Sequence, residues 1–420
     1  LPLVAILDIG PSSKGLITLI RDALPPDLKR YASHFRMRMT PEYAINPLDT
    51  QLGCRYPTPE HKQFLVNLIT QLVTPPESNS PFTSMAGLVS KVIDKLYLDN
   101  ADGPQSNPKS YRPNICSPVD AMVQQYAGEF TPYQDTTWWD VVDFFFKKGH
   151  LHEAMMAQRF AVPLLPEAAG AAKTQVLRDL YHIVVPETGE LLTDAFSRLL
   201  ADTLTDFSIL TQPTKFDIGD VRIAAIDVEE IAKTGSVSAD RQTALIYLIA
   251  KYALTKDYRL TPQAAENMPE LVRAYHIERV AQIREDKKWV VMDEFHRTAA
   301  AAGVQAEVLV DVREGRKWNM GVILSSQSED DFSDELIKQT TGRFILRATD
   351  RAHANALQKK FGFNNTTKEL MLEYCHGPSA KGAPFIGMLA TKQGEFTQLM
   401  YSTISPVEAW GLTTTAEDTL

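Results

Sequence analysis

Trp289-Val-Val-Met-Asp293-Glu294 is an apolar run that stops abruptly in two adjacent carboxylates. A buried parallel strand reads this way, because it is apolar on both faces and its first polar residues appear where it leaves the sheet. The carboxyl end of such a strand is also where open α/β sheets place their chemistry. In nucleotide hydrolysis one carboxylate holds Mg²⁺, directly or through water, and a second orients or activates the attacking water. Taken alone, the pattern equally suits a strand meeting a solvated loop, so its neighbours in sequence decide the matter.

Downstream, Gly315-Arg316-Lys317 precedes a second buried-strand run, Gly321-Val-Ile-Leu324, which continues through Ser325-Ser326 and delivers Gln327 at its tip. An amide there is placed to sense a γ-phosphate or the lytic water. An arginine just before the strand is placed to reach the phosphates of a neighbouring subunit. The plainer alternatives are a strand-capping glutamine and a surface arginine. A third cluster, Thr340-Thr-Gly-Arg343-Phe-Ile-Leu-Arg347, sets two arginines around an apolar strand as further phosphate contacts or as ordinary surface charges.

Outward from these motifs, the chain alternates strand and helix. Leu3-Val-Ala-Ile-Leu-Asp8 is a buried-strand run stopped by Gly10-Pro-Ser-Ser, followed by a helix near Leu16 to Ala23 and the extended segment Ala44-Ile-Asn-Pro-Leu48. From Pro57 to about Pro213 the periodicity is helical instead, as in Phe64, Leu65, Leu68, Ile69 and Leu72, with turns at Pro75-Pro76, Gly103-Pro104 and Pro186. Within it Trp138-Trp139-Asp-Val-Val-Asp-Phe-Phe-Phe146 reads as core, since Trp138, Val142 and Phe145 share a helical face, with a partner-docking or membrane-surface face as the alternative. Val221 to Asp227 alternates like a strand, and Leu245, Leu248, Ile249 and Tyr252 mark the helix after it. Ile386 to Ala390 and Phe396 to Met400, around Gly394, form a hairpin expected to close the core. The order strand, helix, strand, helix, strand predicts an α/β fold with a mostly parallel sheet. It is divided as a first core segment (1–55), a large all-helical insertion (56–215) and a second core segment (216–420).

Composition sets the limits. The 420 residues are 44% hydrophobic and 23% charged, enough for a large globular core. No apolar run approaches the roughly 20 residues that cross a bilayer. Three separated cysteines, Cys54, Cys116 and Cys375, make neither a disulfide framework nor a CxxC metal pair and fit a reducing compartment. The net charge of −9 opposes polyanion binding, so nucleic acid is not expected as a partner. Histidine spacing gives no zinc motif, no GxSxG elbow is present, and Cys375-His376 is adjacent only in sequence. A phosphate cradle of the form GxxxxGK[ST] is missing. Gly10-Pro-Ser-Ser-Lys-Gly15 and Gly377-Pro-Ser-Ala-Lys-Gly382 imitate it without the Gly-Lys-Ser/Thr ending and read as loops. The start at Leu1 suggests a fragment of a longer protein.

The ordered motifs resemble the cytoplasmic ATPases of conjugation-type (type IV) secretion systems, and most closely the DotO/IcmB branch of the HerA/FtsK-like P-loop ATPases. Val4 to Asp8 resembles the strand after the phosphate-loop helix, Ala44 to Leu48 the Asn-Pro segment, and Phe216-Asp-Ile-Gly through Asp227 the re-entry strand. Trp289 to Glu294 resembles Walker B, Gly315 to Lys317 the arginine-finger turn, and Ser325-Ser-Gln327 the sensor. Phe344-Ile-Leu and Lys360-Phe-Gly-Phe363 resemble the closing motifs.

The resemblance implies a RecA-like core, a homo-hexamer at the cytoplasmic face of the bacterial inner membrane, and ATP with Mg²⁺ as cofactors. The partners it implies are other secretion-system ATPases, inner-membrane components, and exported proteins or their adaptors. It implies Asp293 as the Mg²⁺ residue, Glu294 as water-orienting base, Gln327 as sensor and Arg316 as finger in trans; Arg343 and Arg347 are expected as nucleotide contacts only from their place around the apolar strand. The phosphate loop is expected upstream of Leu1, so the chain alone is expected to be inactive. A DNA-translocating motor of the same superfamily and a non-hydrolysing adaptor are the competing readings.

Overall fold

The computed structural model describes residues 1–420 except 11, 76, 79, 217, 233–236, 299–301, 407, 409–411 and 413–420. Pro11, Pro76 and Asp217, used above as loop, turn and strand-entry residues, lie outside the described residues. Contacts divide the chain into two compact units. One comprises Leu1–Arg36, Asp220–Glu229 and Lys288–Leu420; the other comprises Met37–Gly219 and Glu230–Lys287.

The first unit is built on a five-stranded, all-parallel sheet of β1 (Leu3–Asp8), β2 (Ala32–Arg36), β3 (Ile223–Asp227), β4 (Lys288–Met292) and β5 (Met320–Leu324), in the order β2-β3-β1-β4-β5. The strands sit where the apolar runs lie, with one addition. β2 escaped the sequence reading because Ser33, His34 and Arg36 dilute it, as an edge strand with little to bury allows.

Helix α1 (Ser12–Ala23) follows β1 and, with Leu24 just after it, lays Ile17 and Ile20 over Val4, Ile6, Ala32, Ile223, Ala225 and Val291. Its first turn includes Ser12 to Gly15, so this stretch is helical and not the loop expected from sequence. The cause is Asp8: its Oδ2 accepts from Ser12 Oγ (2.7 Å) and Ser13 N–H (2.8 Å), satisfying donors that a helix start leaves free.

The second unit is helical. It holds α2 (Pro59–Leu72), α3 (Met85–Asn100), α4 (Ser117–Gln125), α5 (Trp138–Lys147), α6 (Leu151–Ala161), α7 (Glu167–Ala172), α8 (Gln175–Leu180), α9 (Leu192–Asp206), α10 (Val237–Thr255), α11 (Pro262–Glu266) and α12 (Glu270–Glu285). Trp138, Trp139, Val141, Val142 and Phe145 are all buried against α4 and α6, so the aromatic cluster is core. Leu245, Leu248 and Ile249 of α10 are buried as their spacing requires.

At the centre of this unit runs an irregular segment, 44–54, that is itself mostly buried. Its backbone polar groups have no regular ladder to join, and helix side chains answer them one by one. Tyr97 OH donates to Leu48 O, Tyr252 OH to Pro47 O, and Asn46 Nδ2 to Pro163 O. Gln158 does most: its Oε1 accepts from Gly53 N–H (2.6 Å) and its Nε2 donates to Thr50 O (3.0 Å) and Gln51 O (3.1 Å). Gly53 is at φ +72° with Val272 2.4 Å from where a Cβ would stand, so no other residue fits there.

The remaining elements belong to the first unit. They are α13 (Ala302–Glu314), α14 (Asp334–Gln339), β6 (Gly342–Ile345), α15 (Arg351–Phe361), α16 (Asn365–Tyr374), β7 (Ala383–Thr391) and β8 (Gly394–Ser402). The hairpin β7–β8 forms as expected, but it does not close the parallel sheet. It joins β6 in a separate antiparallel sheet, β6-β7-β8, over its own core of Ile345, Leu357, Phe363, Met371 and Ile386. No described helix is long and apolar enough to cross a membrane.

Two outcomes test the buried segment. Gln158→Ala strands two backbone groups, Gly53 N–H and Thr50 O, since Gln51 O keeps the Cys54 N–H (2.8 Å), and should destabilise the helical unit by about 2–3 kcal/mol in urea unfolding. His61, whose Nε2 lies 2.9 Å from Pro47 O and 2.8 Å from Tyr252 OH, is pushed by burial from 6.5 to about 4. The unfolded chain therefore takes up that proton first. The His61 contribution is complete above pH 6.5 and declines as pH falls from 6.5 to about 4, by about 3 kcal/mol in all. Unfolding midpoints across this range should fall more steeply for the wild type than for His61→Gln.

Candidate functional site

Because the strands are parallel and in register, their last residues share one edge. Asp8 of β1 stands opposite Asp227 of β3, and Asp293, one step beyond the Leu7–Met292 pair, donates its N–H to Leu7 O at 2.9 Å. Three aspartates thus end three neighbouring strands, spaced about 4.8 Å apart. Asp8 and Asp227 are 1% and 2% exposed. Asp227 Oδ1 accepts from Gly10 N–H (3.3 Å) and Glu229 N–H (2.8 Å), and Arg36 Nε lies 3.5 Å from its Oδ2. Asp8 Oδ1 has no hydrogen-bond partner among the described residues. In the sequence Asp8 and Asp227 read only as strand ends. The repeated ending Ile-Leu-Asp8, Ala-Ile-Asp227 and Val-Met-Asp293 was the available signal.

The acid pair turns sharply at the end of β4. Glu294 is at φ +51°, in the left-handed region that non-glycine residues rarely occupy, and its N–H donates to Asp293 Oδ1 at 3.0 Å. Phe295 N–H then donates to Ser325 O (2.8 Å), and Ser325 N–H to Met292 O (3.0 Å), locking the turn to the end of β5. The result brings Gln327 onto Glu294: the amide Nε2 lies 3.0 and 2.9 Å from the two carboxylate oxygens. His296 Nδ1, which the sequence reading did not single out, lies 3.2 Å from Glu294 Oε2 but without hydrogen-bond geometry.

Arg316, Arg343 and Arg347 are not brought into this group. Arg316 lies in a 3-10 turn, Gly315–Trp318, at the start of β5, the whole strand or about 16 Å from the edge that carries Gln327. It is exposed and its side chain pairs with no described residue. Arg343, on β6, donates through Nε to Thr340 Oγ1 (3.1 Å) and through Nη2 to Ile337 O (3.0 Å), capping the end of α14. Arg347 is exposed in the connector between β6 and α15. Asp293, Glu294 and Gln327 therefore stand together, and the three arginines stand apart from them.

Mg²⁺ is the metal this donor set would have to suit. Among the described residues no group of three or more His, Cys, Asp or Glu side chains could hold a metal. A lone hard carboxylate at a strand end is nonetheless what Mg²⁺ takes from a protein when substrate phosphates and water supply its other ligands.

No protein-family model and no curated protein matches the chain. In fold it is similar to VirB4 of Thermoanaerobacter pseudethanolicus, with a TM-score of 0.51 over 97% of this chain and 83% of that one, at 13% sequence identity. The architecture is accordingly an α/β, RecA-like core with a large helical insertion.

Proposed function

We propose that the chain is the Walker B and sensor part of an ATPase motor that energises protein export in type IV secretion, of the DotO/IcmB kind. The observation that carries this is the Gln327 amide held on both oxygens of Glu294, beside Asp293, at the carboxyl edge of a parallel sheet. Support for the system comes from the fold it shares with VirB4, a type IV secretion ATPase. In this reading 1–55 and 216–420 are the two parts of the core and 56–215 the insertion, although by contact both 37–55 and α10–α12 group with the insertion's helices.

Asp293 would hold Mg²⁺, and bound Mg²⁺–ATP supplies the electrophilic γ-phosphoryl group. Glu294 accepts a proton from, and orients, the attacking water. Gln327 fixes the carboxylate so that this water is met by one geometry and not several. Arg316, remote from its own edge, serves a neighbouring copy in a homo-hexamer. Arg347 is exposed for a nucleotide contact, whereas Arg343 would have to leave the α14 cap to make one.

The phosphate cradle belongs to a further strand and helix. Among the described residues β5 is an edge strand, and Ile323 (48% exposed) and Trp289 (42%) lie uncovered on the face that α1 covers elsewhere. The Trp289 ring lies against Gly321, where a Cβ would stand 2.4 Å from it. One more parallel strand on β5, with its right-handed crossover helix, would bury both side chains and place a phosphate loop beside Gln327.

In the ATP-hydrolysing form that carries this loop, Glu294→Gln should lower kcat by about 10²–10⁴-fold while leaving nucleotide binding intact. An unchanged rate would remove Glu294 from the mechanism. Arg316→Ala protomers should be inactive alone, yet regain activity when mixed with Glu294→Gln protomers, because mixed rings contain sites with both residues. Failure to recover in mixed rings would assign Arg316 no role in trans.

A further inference from the structure

The segment after Gln327 is tied at both ends. Ser326 Oγ donates to Asp331, Asp330 N–H to Ser328 Oγ (3.3 Å) and Phe332 N–H to Glu329 O (3.2 Å), making 326–332 a compact loop. On one side Phe332 stacks on Phe295, the residue after Glu294, with ring centroids 6.0 Å apart and planes 14° off parallel. On the other side the loop meets α15. His353 Nε2 lies 3.2 Å from Glu329 Oε2, and Lys360 Nζ donates to Asp330 Oδ1 at 3.4 Å.

His353 is itself held in place. Its N–H donates to Asp350 Oδ1 (2.8 Å), and its Nδ1 accepts from Thr349 N–H (3.2 Å), which leaves Nε2 as the donor to Glu329. Lys360–Asp330 is a weak partner, since Asp330 is almost fully exposed, whereas the Glu329 side chain is 15% exposed. The His353–Glu329 contact is therefore the firmer tie between α15 and the loop.

We propose that His353 is a positioning residue for the Glu294–Gln327 pair, holding the 326–332 loop through Glu329 so that the Gln327 amide stays on the carboxylate. This rests on the role given above to Glu294 and Gln327, but the tie itself is tested without hydrolysis. The antiparallel sheet and α15 then have a mechanical line to the acid pair, running from His353 through Glu329 and Phe332 to Phe295. A load on α15 would alter the site without touching it.

Amide hydrogen exchange of the 420-residue chain reads this directly. His353→Ala should speed exchange of the Phe295, Ser325 and Phe332 amides about tenfold, with amides of α6 in the helical unit unchanged. Glu329→Ala should do the same from the loop side, and His353→Gln, which keeps a side-chain N–H for Glu329, should restore wild-type exchange. Unchanged exchange at all three amides in both alanine variants, or His353→Gln behaving as His353→Ala, would overturn the proposal. If exchange responds as expected but Glu294→Gln leaves hydrolysis unchanged, the tie stands and the catalytic reading fails.

Discussion

Four neighbouring strands, β3, β1, β4 and β5, run parallel and in register, so whatever follows each strand arrives at one edge. This constraint makes a site of residues scattered over more than 300 positions of sequence. It puts Asp8, Asp227 and Asp293 in a row and sets Gln327 within reach of Glu294. It also excludes Arg316, which precedes its strand and so lies at the opposite edge. Direction of travel along β5 sets Gln327 beside Glu294 and leaves Arg316 a strand's length away.

The two interior aspartates show what such an edge demands. A carboxylate that is 1–2% exposed must find donors. Asp8 takes them from the first turn of α1 and Asp227 from the backbone of Gly10 and Glu229. Asp293 and Glu294, one strand over, are less buried and bend away from the sheet, with Glu294 in a backbone region that usually costs about 1–2 kcal/mol. Hydrogen bonds from Phe295 to Ser325 and from Ser325 to Met292 hold that turn in place. The strain at Glu294 therefore persists because its neighbours hold the turn.

Much of this was legible in sequence, because short apolar runs bounded by acids and glycines are too brief for a buried helix and too apolar for a surface loop. The strands β1, β3, β4 and β5, the helical insertion and the buried aromatic cluster all followed from periodicity. What did not follow depended on partners distant in the chain. β2 is a polar edge strand that only its pairing with β3 identifies. The helical start at Ser12 needs the carboxylate of Asp8, and the hairpin β7–β8 chose β6 over the parallel sheet. Arg343 looked like a free cation until the end of α14 claimed it. His353 carried no signal, since its meaning comes from Glu329, 24 residues away and on another element.

We propose that Asp293, Glu294 and Gln327 form the hydrolytic wall of a site completed by a strand on the free edge of β5. The most direct measurement is a structure of the ATP-hydrolysing form with Mg²⁺–ADP and aluminium fluoride. The expected result is Asp293 at the metal, Glu294 and Gln327 at about 2.6–3.2 Å from the in-line water, and a parallel strand paired to β5. Nucleotide bound away from these three side chains, or a β5 edge still unpaired beside it, would contradict this arrangement.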